Sequence, residues 1–111
     1  MKLEEILFGR IAEFEQICKD GGVKSLFMFG SLAKGTFSDR ESDIDLLIDM
    51  KAVNPLEKGE NLMRIWDQFE RFFQRKVDLL TLTSIRNPIL KKEIEGTKVL
   101  LYDGERLKIS V

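Results

Sequence analysis

Between positions 43 and 49 the chain reads Asp-Ile-Asp-Leu-Leu-Ile-Asp, so acids and apolar residues interleave at Asp43, Asp45 and Asp49. A period of two is that of an extended strand, and residues 44–48 are predicted as a strand with one polar face. Four other segments follow from the same reading. Residues 23–29 form an apolar run bounded by glycines, the pattern of a buried strand. Residues 77–82 and 97–102 are further strands, the latter running into an Asp103-Gly104 turn. Helical spacing of Leu3, Ile6, Leu7, Ile11, Phe14, Ile17 and Cys18 predicts a first helix over 3–18, stopped by Gly21-Gly22. Phe8 falls off that stripe and is read as exposed aromatic surface, with a lone surface Phe as the alternative.

A second helix, opened by Asn54-Pro55 and spanning about 56–74, places Leu62, Ile65, Trp66, Phe69, Phe72 and Phe73 on one face as core. Arg64, Asp67, Gln68 and Glu70 fall mostly on the other face. Asn87-Pro88 opens a short helix to Glu95, which Gly96 ends. The order α, β, turn, β, α, β, α, β predicts an α/β (α+β) fold, a small sheet with flanking helices. At 111 residues the chain is predicted to be one domain over 1–111, since chains divide only above roughly 250–300 residues.

Composition narrows the chemistry. With 18 Lys and Arg against 19 Asp and Glu the net charge is −1, without the positive field expected of a protein that binds a nucleic-acid template. No histidine is present, which removes His-based nucleophile triads and His-ligated zinc. Cys18 is the single cysteine, so neither an internal disulfide nor a thiolate cluster can form. No stretch approaches the ~20 apolar residues of a membrane span, and the expected location is the cytoplasm.

The remaining chemistry concentrates in Gly30-Ser31-Leu32-Ala33-Lys34-Gly35, followed by seven residues and then Asp43-Ile44-Asp45. A glycine after a strand allows close backbone approach to a ligand, and Ser31 offers a hydroxyl where free N–H groups attract phosphate oxygens. Asp43 and Asp45 project from one strand face with alpha carbons ~6.5 Å apart, close enough for their carboxylates to share a hard cation such as Mg²⁺. Asp78 places one more acid inside an apolar strand, where an unpaired charge costs several kcal/mol and calls for compensation. Pairing with a nearby Lys or Arg is one source of that compensation, and a shared metal is the other.

Gly30-Ser31, Ala33 and Gly35, then Asp43-x-Asp45 and the later strand residue Asp78, resemble the signature of the polymerase-beta nucleotidyltransferase superfamily, in particular its minimal nucleotidyltransferases. The resemblance covers nearly the whole chain. It implies a small mixed sheet with the active site on one face. It further implies transfer of a nucleotide from a triphosphate, ATP in the leading reading, to a hydroxyl. Two Mg²⁺ ions would be held by Asp43, Asp45 and Asp78, with Asp78 also assisting deprotonation of the nucleophile. Gly30 and Ser31 would bind the β- and γ-phosphates. One departure is Lys34, where members of the group usually carry Arg; lysine keeps the charge and loses the bidentate fork.

The resemblance also implies a partner, a HEPN-domain ribonuclease toxin that an antitoxin of this kind silences by transferring AMP to a tyrosine. Two other readings stay open: a nucleotide-binding antitoxin that masks its partner without catalysis, and a small-molecule nucleotidyltransferase of the aminoglycoside-modifying type. The exposed charges Arg71, Arg75, Lys91 and Lys92 are candidates for a partner interface, and a homo- or hetero-oligomer is compatible with each reading.

Overall fold

A computed structural model describes residues 7–30, 43–51 and 53–105, together with the backbone of 108 and 109. The elements run α1 (Ile11–Asp20), β1 (Val23–Phe29), β2 (Ile44–Met50), α2 (Pro55–Phe73), β3 (Val77–Thr81), a single 3₁₀ turn (Leu82–Ser84), α3 (Pro88–Thr97), β4 (Val99–Asp103) and β5 (Lys108–Ile109). The sheet order is β3-β2-β1-β4-β5. β2 and β3 are parallel and every other pair is antiparallel, so the sheet is mixed, as predicted. A parallel pair needs a crossover, and α2 supplies it. Among the described residues no helix is long and apolar enough to cross a membrane.

Local chemistry explains the ends of these elements. Asn54 Oδ1 accepts from Glu57 N–H at 2.8 Å and Pro55 occupies the first turn, a paired start signal for α2. Gln74 ends the same helix at φ 53°, a left-handed turn that swings the chain back into β3. Asn87 caps α3 in the same way, through Ile89 N–H at 2.9 Å.

The core lies between the sheet and the α1/α2 layer. Phe14 of α1 sits 5.4, 5.3 and 5.6 Å from the ring centres of Phe69, Phe72 and Phe73 of α2. Beneath them lie Leu26, Ile44, Leu46, Ile48, Val77 and Leu79. Strand alternation therefore turns Asp45, Leu47 and Asp49 of β2, and Asp78 and Leu80 of β3, to the opposite face. There α3 contributes Ile94, and Ile85 joins it over Phe29 and Leu47. The predicted role of Trp66 and the Phe residues of α2 as core packing holds, with Trp66 partly buried at its margin.

Three features differ from the sequence expectation. The first helix is not continuous from residue 3: residues 7–10 form a turn with Gly9 at φ 72°, and regular helix starts at Ile11, which is 44% exposed instead of core. Leu3 and Ile6 lie outside the described residues, and Phe8 is exposed as predicted. Gly96 does not end α3, because Lys98 N–H still reaches Ile94 C=O at 2.8 Å and the helix runs through Thr97. β5 was not anticipated; its partner is β4, with Tyr102 opposite Ile109. A two-residue strand has no periodicity to read.

Candidate active site

Asp45 stands in the middle of the sheet's open face. Phe29 is its antiparallel neighbour on β1 and Asp78 its parallel neighbour on β3. Strands lie ~4.8 Å apart, so residues in register on one face carry their carboxyl groups side by side. Burial, the charge of Asp78, a hydrogen bond that the neutral Asp45 acid donates to the Asp78 side chain, and the charge of Asp43 together push the Asp45 carboxyl up to about 6. A hydrogen bond between two carboxyl groups requires a proton on one of them, and here it favours the neutral form of Asp45. The acid that Asp78 places inside an apolar strand thus has Asp45 as its neighbour across the ladder.

Asp43, two residues earlier on the same strand face, is 42% exposed, and its Oδ2 lies 3.8 Å from Lys76 Nζ. Sequence reasoning did not single out Lys76. The signal lies in the register, because pairing Ile44 with Val77 sets residues 43 and 76 beside one another, and Ile44 N–H donates to Lys76 C=O at 3.1 Å. Among the other expected interface charges, Arg71 pairs with Asp67 at 3.0 Å on the surface of α2.

Gly30 follows β1 with φ 68°, a conformation glycine adopts without strain. A Cβ at this position would collide with Asp45 Oδ2. Sequence reasoning reserved the bare glycine for a ligand, whereas its close neighbour in the structure is the carboxylate of Asp45. Ser31 and Lys34 lie outside the described residues.

These carboxylates suit a divalent cation of one particular kind. Among the described residues no three His, Cys, Asp or Glu side chains converge into a closed metal cage. Mg²⁺ does not need one, since it is commonly held by one or two carboxylates and completes its octahedron with water and substrate phosphates. Asp45 and Asp78, in register on neighbouring strands, supply two such carboxylates.

Two predictions follow from this geometry. Gly30→Ala should cost about 2 kcal/mol, combining left-handed strain with displacement of Asp45. Gly22→Ala, with a similar φ of 73° but nothing near its Cβ, should cost only about 1 kcal/mol. Chemical denaturation of both variants checks the difference. The second concerns pH. Because the folded-state pKa of Asp45 is raised, the fold favours the neutral acid, so its contribution is fully present below an ordinary carboxylate pKa and is lost as pH rises through about 6. Without metal, the thermal midpoint of the wild type should therefore fall between pH 4 and 7 relative to that of Asp45→Asn, as melting curves across that range will show.

Comparison with known proteins places this geometry in a family. The family model for the nucleotidyltransferase domain matches residues 11–101, from the start of α1 into β4. A protein of Methanocaldococcus jannaschii, provisionally named a protein adenylyltransferase, is 39% identical over 95 residues, covering 85% of this chain and 89% of the relative. A second from the same organism, with the same provisional name, is 37% identical over 94 residues at the same coverage. A solved structure provisionally described as a minimal nucleotidyltransferase superposes with TM-score 0.61 at 23% identity, over 89% of this chain and 95% of that one. A toxin-antitoxin crystal structure with AMP-PNP superposes with TM-score 0.62 at 18% identity, over 86% of this chain and 74% of that one, and like the previous structure it shares the fold. The family match spans the open face from Gly30 to Asp78, and with it the chain belongs to the nucleotidyltransferase domain family and is a nucleotidyltransferase.

Proposed function

We propose that this chain transfers AMP from ATP to a hydroxyl of a partner protein, a tyrosine of a HEPN-domain toxin, and thereby acts as an antitoxin. The observation that carries the reading is the Asp45–Asp78 carboxyl pair in register on the open face, with Gly30 packed against Asp45. The names of the two Methanocaldococcus jannaschii relatives support protein adenylylation, and the toxin-antitoxin structure with AMP-PNP supports both partner class and nucleotide. In this reading residues 1–111 act as one catalytic domain and the partner brings the acceptor.

Asp43, Asp45 and Asp78 would hold Mg²⁺, which when bound neutralises charge on the attacking and leaving oxygens of an in-line displacement. The acceptor oxygen bonds to the α-phosphorus, the bond from that phosphorus to the bridging α–β oxygen breaks, and pyrophosphate leaves. Asp78 takes the hydroxyl proton, since the chain has no histidine to serve as base. Gly30 and Ser31 hold the β- and γ-phosphates, and Lys34 neutralises charge beside them. Lys76 pairs with Asp43 at the rim of the face.

The test is to incubate the chain with ATP, Mg²⁺ and the product of its neighbouring gene, then weigh that product. The expected result is an AMP adduct mapped to tyrosine. A neighbour of unchanged mass under conditions in which ATP is bound overturns the proposal.

A further inference from the structure

Among the described residues β3 is the edge strand of the sheet, with β2 as its one partner. In its parallel register Lys76 C=O accepts from Ile44 N–H, so the ladder uses the amide groups of residues 76, 78 and 80 and turns those of Val77, Leu79 and Thr81 outward. An edge residue ordinarily leaves its outward groups to water. At Val77 both are taken by α2: Trp66 Nε1–H donates to Val77 C=O at 2.7 Å, and Val77 N–H donates to Glu70 Oε2 at 3.0 Å. Trp66 and Glu70 are one helical turn apart and so reach the same spot. The sequence assigns Trp66 to the core and Glu70 mostly to the outer face, but both bond the backbone of the residue immediately before Asp78. A carboxylate acceptor makes the stronger, charge-assisted kind of bond, and the indole and carboxylate grip the peptide groups on either side of the Val77 alpha carbon.

The geometry points to Trp66 and Glu70 as positioning residues that hold Asp78 against Asp45 by clamping the backbone of Val77. The inference rests on the reading of Asp45 and Asp78 as ligands of the divalent ion. Groups that orient metal ligands commonly account for 10- to 100-fold in metal affinity or activity. The clamp acts on the strand's backbone, so its effect should appear in binding of the ion even without substrate.

The experiment measures Mn²⁺ binding to the full chain by calorimetry, alongside kcat and KM for ATP. Glu70→Ala and Trp66→Phe should each weaken Mn²⁺ about tenfold and lower kcat by a similar factor, with KM for ATP unchanged. Glu70→Gln, whose amide oxygen still accepts from Val77 N–H, should remain within about twofold of wild type. Ile65→Val, a core change on α2 at a side chain that packs beside Gly21 and makes none of the bonds to Val77, should keep wild-type affinity although it lowers stability. Should Glu70→Ala fail to fold, Trp66→Phe, which keeps an aromatic ring in place, carries the same comparison. Wild-type Mn²⁺ affinity in Glu70→Ala or Trp66→Phe, or an equal loss in Ile65→Val, overturns the clamp. A wild-type chain that binds Mn²⁺ yet transfers no nucleotide fails the functional reading alone, leaving the clamp to be judged on affinity. A wild type that binds no Mn²⁺ overturns both.

Discussion

Replacing Asp45 by Asn should lower nucleotide transfer by about a thousandfold, the upper end for loss of one group that meets charge in a transition state. The same change should make the metal-free chain more stable at pH 7. Asp45 is held with its carboxyl pushed up to about 6 by burial and by Asp78, so near neutral pH the fold carries two carboxylates whose charges oppose one another. An amide of nearly the same shape removes that repulsion and can still donate to Asp78. After allowing for solvent screening at a partly open site, the gain should be about 1 kcal/mol, or several degrees in thermal midpoint. Opposite signs for activity and stability separate this outcome from misfolding, in which both fall. A variant that transfers nucleotide at the wild-type rate removes Asp45 from the chemistry; one that is less stable at pH 7 shows that repulsion between the two acids is not the strain inferred here.

The largest loss of stability should come from Phe69→Ala. Phe69 is fully buried, stacks on Phe14 at 5.4 Å and lies 6.4 Å from Phe73, so its ring joins α1 to α2 over the sheet. Deleting a buried phenyl ring costs about 3–5 kcal/mol in transfer energy and cavity. Domains of this size have only about 5–15 kcal/mol to lose. The thermal midpoint should drop by roughly 15 °C or more. Phe69→Leu, which refills most of the space, should cost less than half as much. Equal losses for Ala and Leu would mean that ring geometry, more than filled volume, sets the stability of this layer.

These two variants mark what the sequence makes legible. Phe69 belongs to a helical stripe of apolar residues, and Asp45 to an alternating strand; both patterns are periodic and local. β1 was read at its observed bounds because glycines punctuate both ends. The less legible parts depend on long-range contact. Whether Asp78 meets a lysine or another acid is decided by the parallel register of β2 and β3, and the same register brings Lys76 to Asp43. Glu70 looks like one more solvent-facing acid on α2 until the left-handed turn at Gln74 returns the chain alongside it. Gly9 and Gly96 show the opposite limit: one breaks a helix that periodicity would continue, and the other sits inside a helix that it seemed placed to end. A glycine permits a conformation without compelling it.

The occupied edge of β3 also governs how this chain can meet other chains. At its far end Thr81 N–H donates to Ser84 Oγ at 3.1 Å, and the Ser84 hydroxyl donates back to Thr81 C=O at 2.7 Å. With Val77 already engaged, two of the strand's three outward residues have no amide group to offer an incoming strand. Edge-to-edge growth of the sheet, the route to strand-swapped oligomers and aggregates, is therefore blocked on this side. A partner chain cannot dock by lengthening the sheet at Val77 or Thr81, and recognition on this side must rely on side-chain surfaces, whose sequence can diverge while the backbone edge stays occupied.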